Sequence, residues 1–341
     1  MSIISICLPT LNARDFLEPR IESILSQTLG DWELIVCDSY SDDGTWEYLQ
    51  QFKNDERIHL HQVPRDGLYA GWNECLKRCR GKYVYVATAD DTCKRDFLRE
   101  MVMAAETYAK CRVCVCDLEF IDEYSKTISC PSNWLARKFY DEYINQSHLR
   151  SGLTEFLIQA CLGIVWYSMS AVLFRRDLLN DVGFFRLDRG SQADYEWQLR
   201  ASLSSDVVYI PGQLATWRVH SQQATAGLPK INNTELLCLE SVLNDGLMPT
   251  EWCHIPGWYD KIIRIRKTEY LDSIGLSRSN IRNNITKFAD GFFYSLIHEP
   301  KYLVDRIVHG FTYSDKLLYD PMLYTQELIS AFNCKWPPSI L

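Results

Sequence analysis

The chain has 341 residues, of which 47% are hydrophobic and 23% are charged, and its formal net charge is −8. This composition is that of an ordinary globular protein, and it excludes wholesale disorder and fibrous repeats. The negative charge also disfavours a nucleic-acid surface, because binding to phosphates requires clustered lysine and arginine side chains. We therefore expect an enzyme-sized globular protein with no nucleic-acid partner.

The cysteines and the hydrophobic segments indicate a cellular location. Thirteen cysteines are scattered along the chain, and the first ten residues lack the basic flank and cleavage site of a secretory signal. No run of about 18 apolar residues is long enough to span a membrane. These features predict reduced thiols and a cytoplasmic protein. Cys111, Cys114 and Cys116 form a C-x-x-C-x-C cluster that suits either a metal site or a buried strand, and the alternation in residues 112–118 favours the strand.

Strand and helix patterns alternate in the first third of the chain. Helices are predicted to begin near residues 15, 46, 68 and 94, the first with a capping box formed by Asp15 and Glu18. Buried strands are predicted between and around them, at residues 3–8, 32–37, 58–63, 82–88 and 112–118. Alternating strands and helices of this kind predict an α/β domain with a mostly parallel central sheet.

The alternation of strands and helices becomes irregular beyond Asp122. Residues 125–150 have a polar, loop-like composition, and a helix is predicted near residue 194, followed by strands at 207–210 and 214–219. Helical periodicity with many aromatic residues then continues to the C-terminus. We place a domain boundary near residue 226, where the helical pattern begins. This gives an α/β domain at 1–225 and a helical C-terminal region at 226–341. That region is suited to binding an acceptor, to forming a homo-oligomer or to contacting a membrane.

One segment of this C-terminal region is rich in basic residues. Residues 261–267 mix basic and isoleucine side chains, so they are compatible with peripheral contact to anionic lipid headgroups. A helix with a solvated basic side is the more frequent explanation of such a charge run.

Polar residues follow three of the predicted strands. Pro9, Thr10 and Asn12 follow the first strand, Asp38 ends the second, and Asp90 and Asp91 end the fourth. Because ligands of open α/β sheets bind beyond the carboxyl ends of the strands, these residues are expected to share one site. Mg²⁺ or Mn²⁺ suits such a site, since hard cations prefer carboxylate oxygens together with substrate phosphates.

At residues 4–49 (ISICLPTLNARDFLEPRIESILSQTLGDWELIVCDSYSDDGTWEYL) and 64–91 (PRDGLYAGWNECLKRCRGKYVYVATADD) the chain resembles the family 2 glycosyltransferases of the GT-A fold. The likeness extends to about residue 225. It implies nucleoside recognition by Pro9, Thr10, Asn12 and Asp38, with Asp38 facing the base and Arg65 assisting.

The resemblance also implies that Asp90 and Asp91 form the ribose and metal element called the DxD motif, with Asp90 on the nucleotide and Asp91 on the metal. Thr88 stands where the family often has an acid. That departure leaves open which of the two aspartates touches the metal.

The acceptor side of the site is expected farther along the chain. Residues 170–186 (SAVLFRRDLLNDVGFFR) and 192–203 (QADYEWQLRASL) resemble the family segment whose aspartate is the general base, and Asp194 matches that residue. A base opposite the leaving group implies in-line displacement with inversion at the anomeric carbon. A helix cap is the alternative role for Asp194. Many family members carry a glutamate just before this aspartate, whereas this chain has Ala193.

Residues 217–220 (WRVH) resemble the late family strand that ends in Arg-x-His. The resemblance implies that Arg218 contacts the diphosphate and that His220 approaches the metal, because guanidinium groups clamp phosphate oxygens and imidazole can ligate metals. A surface histidine with its own hydrogen-bond partners is the alternative for His220.

Together these features predict an inverting glycosyltransferase that uses a nucleoside diphosphate sugar, with a UDP-sugar favoured. The expected acceptor is a glycan or a lipid-linked acceptor in surface polysaccharide or lipopolysaccharide synthesis, at the inner face of the membrane. Thr88 and Ala193 keep open an alternative, a catalytically inactive nucleotide-binding module. Nucleotidyl transfer is disfavoured because residues 8–15 contain no glycine, and the absence of G-x-G-x-x-G after the first strand disfavours a dinucleotide oxidoreductase.

Overall fold

Nine strands form one continuous sheet. The computed structural model describes residues 2–130, 134–221, 223, 233–273 and 320–341. The strands are β1 (Ile4–Thr10), β2 (Trp32–Asp38), β3 (Ile58–Gln62), β4 (Tyr83–Val86), β5 (Val113–Asp122), β6 (His148–Arg150), β7 (Val172–Arg175), β8 (Val207–Val219) and β9 (Ser339–Ile340). Their order across the sheet is β3-β2-β1-β4-β7-β5-β8-β6-β9.

The sheet is parallel in its N-terminal part and mixed beyond it. β1 pairs in parallel with β2 and β4, β2 pairs in parallel with β3, and β5 pairs in parallel with β8. β7 lies antiparallel between β4 and β5, and β6 and β9 close the far edge with antiparallel pairs. Every residue of β1 and β2 is buried, as expected for parallel strands covered on both faces. The predicted α/β class with a central sheet that is parallel in its N-terminal part is confirmed.

Helices cover both faces of this sheet. They are α1 (Arg14–Leu25), α2 (Thr45–Leu49), α3 (Leu68–Leu76), α4 (Phe97–Thr107), α5 (Leu135–Tyr140), α6 (Gly152–Leu162), α7 (Leu179–Val182), α8 (Ala193–Ser204), α9 (Thr234–Asn244), α10 (Thr250–Cys253), α11 (Trp258–Ser273) and α12 (Pro321–Ala331). α1 and α4 pack on one face, and α3, α6 and α8 pack on the other. Two apolar cores, one on each side of the sheet, therefore hold the strand ends in fixed positions.

The predicted capping box at α1 is wrong. The helix begins at Arg14, and the N-cap residue before it, Ala13, makes no side-chain capping hydrogen bond. The free N–H groups are satisfied from the turn after β2 instead, since Arg14 N donates to Asp43 Oδ2 at 2.9 Å and Ala13 N donates to Thr45 Oγ1 at 2.9 Å. The turn thereby joins the ends of β1 and β2.

Residues 125–150, which were predicted as a loop, contain α5 and β6. The two strands predicted at 207–210 and 214–219 form the single strand β8. Pro211 and Gly212 are typical of a turn, but here the pairing of β8 with β5 shifts register beside Asp117 and continues. Such an irregularity places extra residues in one strand, so the pairing continues past residues that do not fit a regular ladder. Cys114 and Cys116 are buried in β5, so the strand interpretation of the cysteine cluster is confirmed.

The C-terminal region packs onto the core. The predicted boundary at residues 225 and 226 lies outside the described residues. α9, α11 and α12 contact α6 or α8, and β9 pairs with β6, so this region is not wholly helical. In the basic segment 261–267, Ile262, Ile263 and Ile265 are buried, and Arg266 Nε donates to the Ala160 carbonyl at 3.1 Å. The isoleucines of this segment face the protein and are not available to a lipid surface.

A buried histidine in β6 makes the fold sensitive to pH. His148 is fully buried, its Nδ1 lies 2.8 Å from the Gln146 carbonyl, and its Nε2 accepts a hydrogen bond from Arg150 Nε at 2.9 Å. An accepting Nε2 requires the neutral ring. Burial, and then the charge of Arg150, lower the pKa of His148 to about 4.

We expect the free energy of unfolding to fall by about 2 kcal/mol between pH 7 and pH 5 on account of His148. The unfolded chain takes up a proton near pH 6.5, whereas the folded chain takes it up only near pH 4. Urea unfolding at both pH values measures this loss. His148→Asn should remove it and the same change at exposed His254 should not; an unchanged pH slope in His148→Asn contradicts the assignment.

Candidate functional site

The ends of β1 and β2 are tied together by Asp38. Thr10 and Asp38 are direct partners in the sheet, and Thr10 Oγ1 donates to Asp38 Oδ1 at 2.9 Å. Ser41 donates to both carboxylate oxygens, through its hydroxyl at 2.6 Å and its N–H at 3.0 Å. Asp38 is 0% exposed. Asp38 thus shapes the turn, and in this geometry it does not present a free oxygen to a base, in contrast to the direct contact that the resemblance implies.

Asn12 and Arg65 lie on the exposed rim beside that turn. Asn12 adopts a left-handed backbone with a φ of 49°. Its side-chain amide donates to Asp42 Oδ1 and accepts from the Asp42 N–H, both at 3.0 Å. Arg65 donates to the Ser39 carbonyl at 2.8 Å and pairs with Asp42 at 3.1 Å. These two predicted nucleoside residues therefore stand together on one preformed edge.

Asp91 is buried in a cage of hydrogen-bond donors. Its Oδ2 accepts from the hydroxyls of Thr88 at 2.7 Å, Ser170 at 2.6 Å and Ser168 at 3.2 Å, and its Oδ1 accepts from the Arg218 N–H at 2.8 Å. Burial, together with the charge of neighbouring Asp90, raises the pKa of Asp91 to about 6. With 1% exposure and four bonds, Asp91 supports the site from below.

Asp90, by contrast, reaches the cleft. Its side chain is 29% exposed, and its Oδ2 lies 3.1 Å from His220 Nε2. Burial raises the pKa of Asp90, but the hydrogen bond with His220, a backbone hydrogen bond and the nearby charges of His220 and Arg20 together outweigh burial, so the net pKa is below the usual value. An accessible carboxylate suits a divalent cation, and a neighbouring imidazole can add a nitrogen ligand.

Arg218 is used within the protein. It is 1% exposed, and its guanidinium donates to the carbonyls of Asp90 at 2.7 Å and Asp122 at 2.9 Å and to the Ser125 hydroxyl at 3.0 Å. Its Nη2 has no hydrogen-bond partner among the described residues, and the predicted diphosphate contact stays a prediction. Arg218 holds the backbone of Asp90 against the end of β5.

Arg20 was not predicted, although it is a buried cation directly behind the acidic pair. It is 0% exposed. Its Nε donates to the Thr88 carbonyl at 2.7 Å, and its terminal nitrogens donate to the hydroxyls of Tyr85 at 3.2 Å and Ser170 at 3.4 Å. Since Ser170 in turn donates to Asp91, the guanidinium is the nearby positive charge that balances the buried carboxylate. Its place in the α1 apolar pattern offered no sequence signal.

Asp194 begins the first turn of α8 and opens into the same cleft as Pro9, Asp90 and Asp91. Burial raises the pKa of Asp194, and this rise is only partly offset by the Tyr195 N–H, which donates to Oδ1 at 2.8 Å, and by the nearby Tyr69 hydroxyl. A carboxylate with a raised pKa, open to a cleft, suits a general base.

The cleft has aromatic and hydroxyl walls that sequence reasoning did not identify. They include residues from α3, from the segment before β7 and from the end of β8. These are Tyr69, Trp72, Tyr167, Ser168, Met169, Ser191, Trp217 and Gln223. The only sequence signal was the high aromatic content, which core packing also explains.

A divalent cation fits this site only with ligands from a substrate. Within the described ranges, no three His, Cys, Asp or Glu side chains converge as a ready-made metal site. Asp90 would provide one oxygen, and His220, whose side chain is 6% exposed, would provide its Nε2 in place of the present hydrogen bond to Asp90. Mg²⁺ and Mn²⁺ sites commonly take one or two carboxylates and complete their shell with phosphate oxygens and water.

None of the described helices is both long and apolar enough to cross a bilayer.

Two curated bacterial proteins are similar to parts of the chain. The putative teichuronic acid biosynthesis glycosyltransferase TuaG of Bacillus subtilis is 38% identical over 102 residues, 29% of this chain and 40% of that protein. The Escherichia coli UDP-Glc:alpha-D-GlcNAc-diphosphoundecaprenol beta-1,3-glucosyltransferase WfaP is 32% identical over 91 residues, 27% of this chain and 36% of that protein. The chain thus matches less than half the length of either relative.

Two solved structures share the fold, each at 15% identity. Staphylococcus aureus TarS 1–349 in complex with UDP-GlcNAc aligns with a TM-score of 0.62, over 99% of this chain and 93% of that one. The mannosyltransferase PcManGT of Pyrobaculum calidifontis, in complex with GDP-Man and Mn²⁺, aligns with a TM-score of 0.57, over 98% and 88%. The family model described as Glycosyl transferase family 2 matches residues 5–182, more than half of the chain. This protein, with its GT-A fold, therefore belongs to glycosyl transferase family 2.

Proposed function

We propose that the chain transfers a sugar from a nucleoside diphosphate sugar to an acceptor hydroxyl, with inversion at the anomeric carbon. The observation that carries the proposal is the single cleft that joins accessible Asp90, next to His220, to Asp194 with its raised pKa. A UDP-sugar is favoured because WfaP is named as a UDP-Glc-dependent glucosyltransferase and the TarS structure is a complex with UDP-GlcNAc.

The residues in and around the cleft have the following proposed roles. Asp90 and His220 would hold the divalent cation, which when bound offsets the charge that develops on the departing nucleoside diphosphate. Asp91 and Arg218 position Asp90 from below. Pro9, in the cleft wall, and Asn12 and Arg65, on the rim, would contact the nucleoside, while Thr10 and Asp38 hold the turn that carries this edge.

Asp194 acts on the acceptor. Its carboxylate takes the proton of the acceptor hydroxyl as that oxygen forms a bond to the anomeric carbon. The bond from that carbon to the diphosphate breaks on the opposite face, and the electron pair leaves with the nucleoside diphosphate. Attack opposite to departure inverts the anomeric centre.

The two departures from the family pattern do not favour an inactive module. Thr88 donates to Asp91 and so supports the acidic pair. Ala193 is 0% exposed, packs in the apolar core and is not among the residues that line the cleft. We further propose that residues 1–225 carry the transferase and that 226–341 support acceptor binding or assembly, in synthesis of a surface polysaccharide or a related glycan.

The test is donor hydrolysis and nucleotide-dependent stabilisation. We expect UDP-glucose, UDP-N-acetylglucosamine or GDP-mannose, assayed in turn with Mn²⁺, to be hydrolysed slowly by the purified chain, and the matching nucleotide to raise its melting temperature. Asp90→Asn should raise the Mn²⁺ concentration needed for half-maximal hydrolysis by at least about tenfold, because it removes a charged ligand.

Asp96→Asn is the matched control, since Asp96 is a surface aspartate outside the cleft. No hydrolysis and no stabilisation by any of these nucleotides would contradict the proposed donor. An unchanged Mn²⁺ requirement in Asp90→Asn would contradict the assigned metal role.

A further inference from the structure

Three aromatic rings form a run of edge-to-face and tilted contacts that begins inside the cleft. Trp217 at the end of β8 lies 4.7 Å from Tyr167, and Tyr167 lies 4.6 Å from Trp134, measured between ring centroids. All three rings pack around Phe120 of β5, at 5.4, 5.5 and 6.2 Å. We call Trp217, Tyr167 and Trp134 the aromatic strip.

The strip leads away from the base. Trp217 and Tyr167 line the cleft that contains Asp194. Tyr167 and Trp134 line a neighbouring hollow, together with Asp117 and Arg137, which form an ion pair at 2.8 Å. Tyr167 therefore stands between the two spaces, and the strip connects the reaction site to a polar pair beyond it.

The rings of the strip are held in place but not covered. Phe120 beneath them is 2% exposed, and Trp134 Nε1 donates to the Ile164 carbonyl at 3.0 Å. Each of the three rings nevertheless keeps intermediate exposure. Fixed rings that stay partly exposed offer a preorganised surface to a ligand.

The chemistry of this surface matches a saccharide. One face of a sugar ring carries C–H groups that pack on an aromatic ring, while its hydroxyls require donors and acceptors at the edge. The Asp117 carboxylate and the Arg137 guanidinium provide both. Because their charges offset each other, the pair does not select a strongly anionic ligand such as a phosphate.

We propose that the aromatic strip is the acceptor subsite, and that it binds two successive sugar rings of a glycan whose terminal hydroxyl is presented to Asp194. The first ring packs against Trp217 and Tyr167, and the second packs against Trp134 beside Arg137. This inference rests on the proposed function and specifies its acceptor as a saccharide of at least two residues.

The test compares one sugar ring with two. Isothermal titration calorimetry of the full chain, saturated with UDP and Mn²⁺, is carried out with p-nitrophenyl glycosides of glucose, galactose and N-acetylglucosamine and with their β-linked disaccharides. We expect at least one disaccharide to bind about tenfold more tightly than its monosaccharide, a gain typical of one additional aromatic contact. Trp134→Leu should abolish this gain and leave monosaccharide binding unchanged.

Two further variants check where the strip acts. Tyr167→Leu should weaken both sugars and Tyr167→Phe should retain both, while Tyr48→Leu, an aromatic change on α2 outside the cleft, should have no effect. Hydrolysis of the donor sugar, with water as acceptor, should stay within about twofold in Trp134→Leu, because Trp134 does not line the cleft that contains Asp194.

The proposal is overturned if no glycoside of the panel binds, or if Trp134→Leu keeps the preference for two rings. It is also overturned if the strip variants lose UDP binding, because the rings would then belong to the donor side. If the proposed function itself were wrong, the result would differ: the wild-type chain would hydrolyse no nucleotide sugar, whether or not the glycosides bind.

Discussion

Asp194→Asn is expected to lower the rate of sugar transfer by about 10²- to 10⁴-fold, the usual contribution of a positioned general base. The amide keeps the size of the side chain and its acceptor for the Tyr195 N–H, so the start of α8 should be preserved. Binding of the nucleotide, measured by titration with UDP and Mn²⁺, should stay within about twofold. Transfer is measured as release of nucleoside diphosphate in the presence of an acceptor.

Exposed Asp188, six residues earlier in the chain, provides the control, because Asp188→Asn removes a nearby charge outside the cleft. The pH profile is a second readout. The base must be deprotonated, so transfer by the wild type should fall as the pH drops through the raised pKa of Asp194, above the range of an ordinary aspartate. If Asp194→Asn transferred sugar at a near-normal rate, or if its rate fell at low pH as that of the wild type does, Asp194 would not be the general base.

Arg20→Met is expected to cost about 3–5 kcal/mol of unfolding free energy, because removing one member of a buried charged network leaves the other uncompensated. The change deprives the Thr88 carbonyl and the Ser170 hydroxyl of a donor and leaves Asp91 without its nearest buried cation. Urea denaturation at pH 7 measures the loss.

The interpretation requires coupling between Arg20 and Asp91. The double variant Arg20→Met with Asp91→Asn should therefore be more stable than the sum of the single changes predicts, which a double-mutant cycle measures directly. Arg99→Met on the surface of α4 should change the stability by less than about 0.5 kcal/mol. Additive effects of the two buried changes would show that Arg20 does not balance Asp91.

Thr88 illustrates how a departure from a sequence pattern acquires a physical meaning. Read as a sequence, a threonine in place of an acid indicates a weaker metal motif. In the structure its hydroxyl donates to Asp91, and its carbonyl accepts from Arg20. The position contributes to the support of the acidic pair, and this leaves Asp90 as the carboxylate that reaches the cleft.

Some features were beyond prediction because they depend on contacts distant in the chain. The cap of α1 comes from Asp43 in the following βα turn, so a local capping rule chose Asp15 and Glu18 instead. The C-terminal β9 pairs with β6, about 190 residues earlier, although its two residues carry no strand pattern. Arg218 was assigned to a phosphate by its motif, whereas its burial depends on carbonyl groups that lie 95 or more residues away.

The sequence by itself determined the class of this protein and the edge at which its ligands are expected. Strand and helix periodicities are local, and the rule that parallel strands end on one side of a sheet follows from them, so Pro9, Asp38 and the acidic pair could be placed together in advance. Tertiary structure alone decided which carboxylates are accessible, since burial and hydrogen bonding are set by side chains from several elements at once. For that reason Asp90 and Asp194 are accessible from the cleft, while Asp38 and Asp91, of the same residue type, are buried among hydrogen-bond donors.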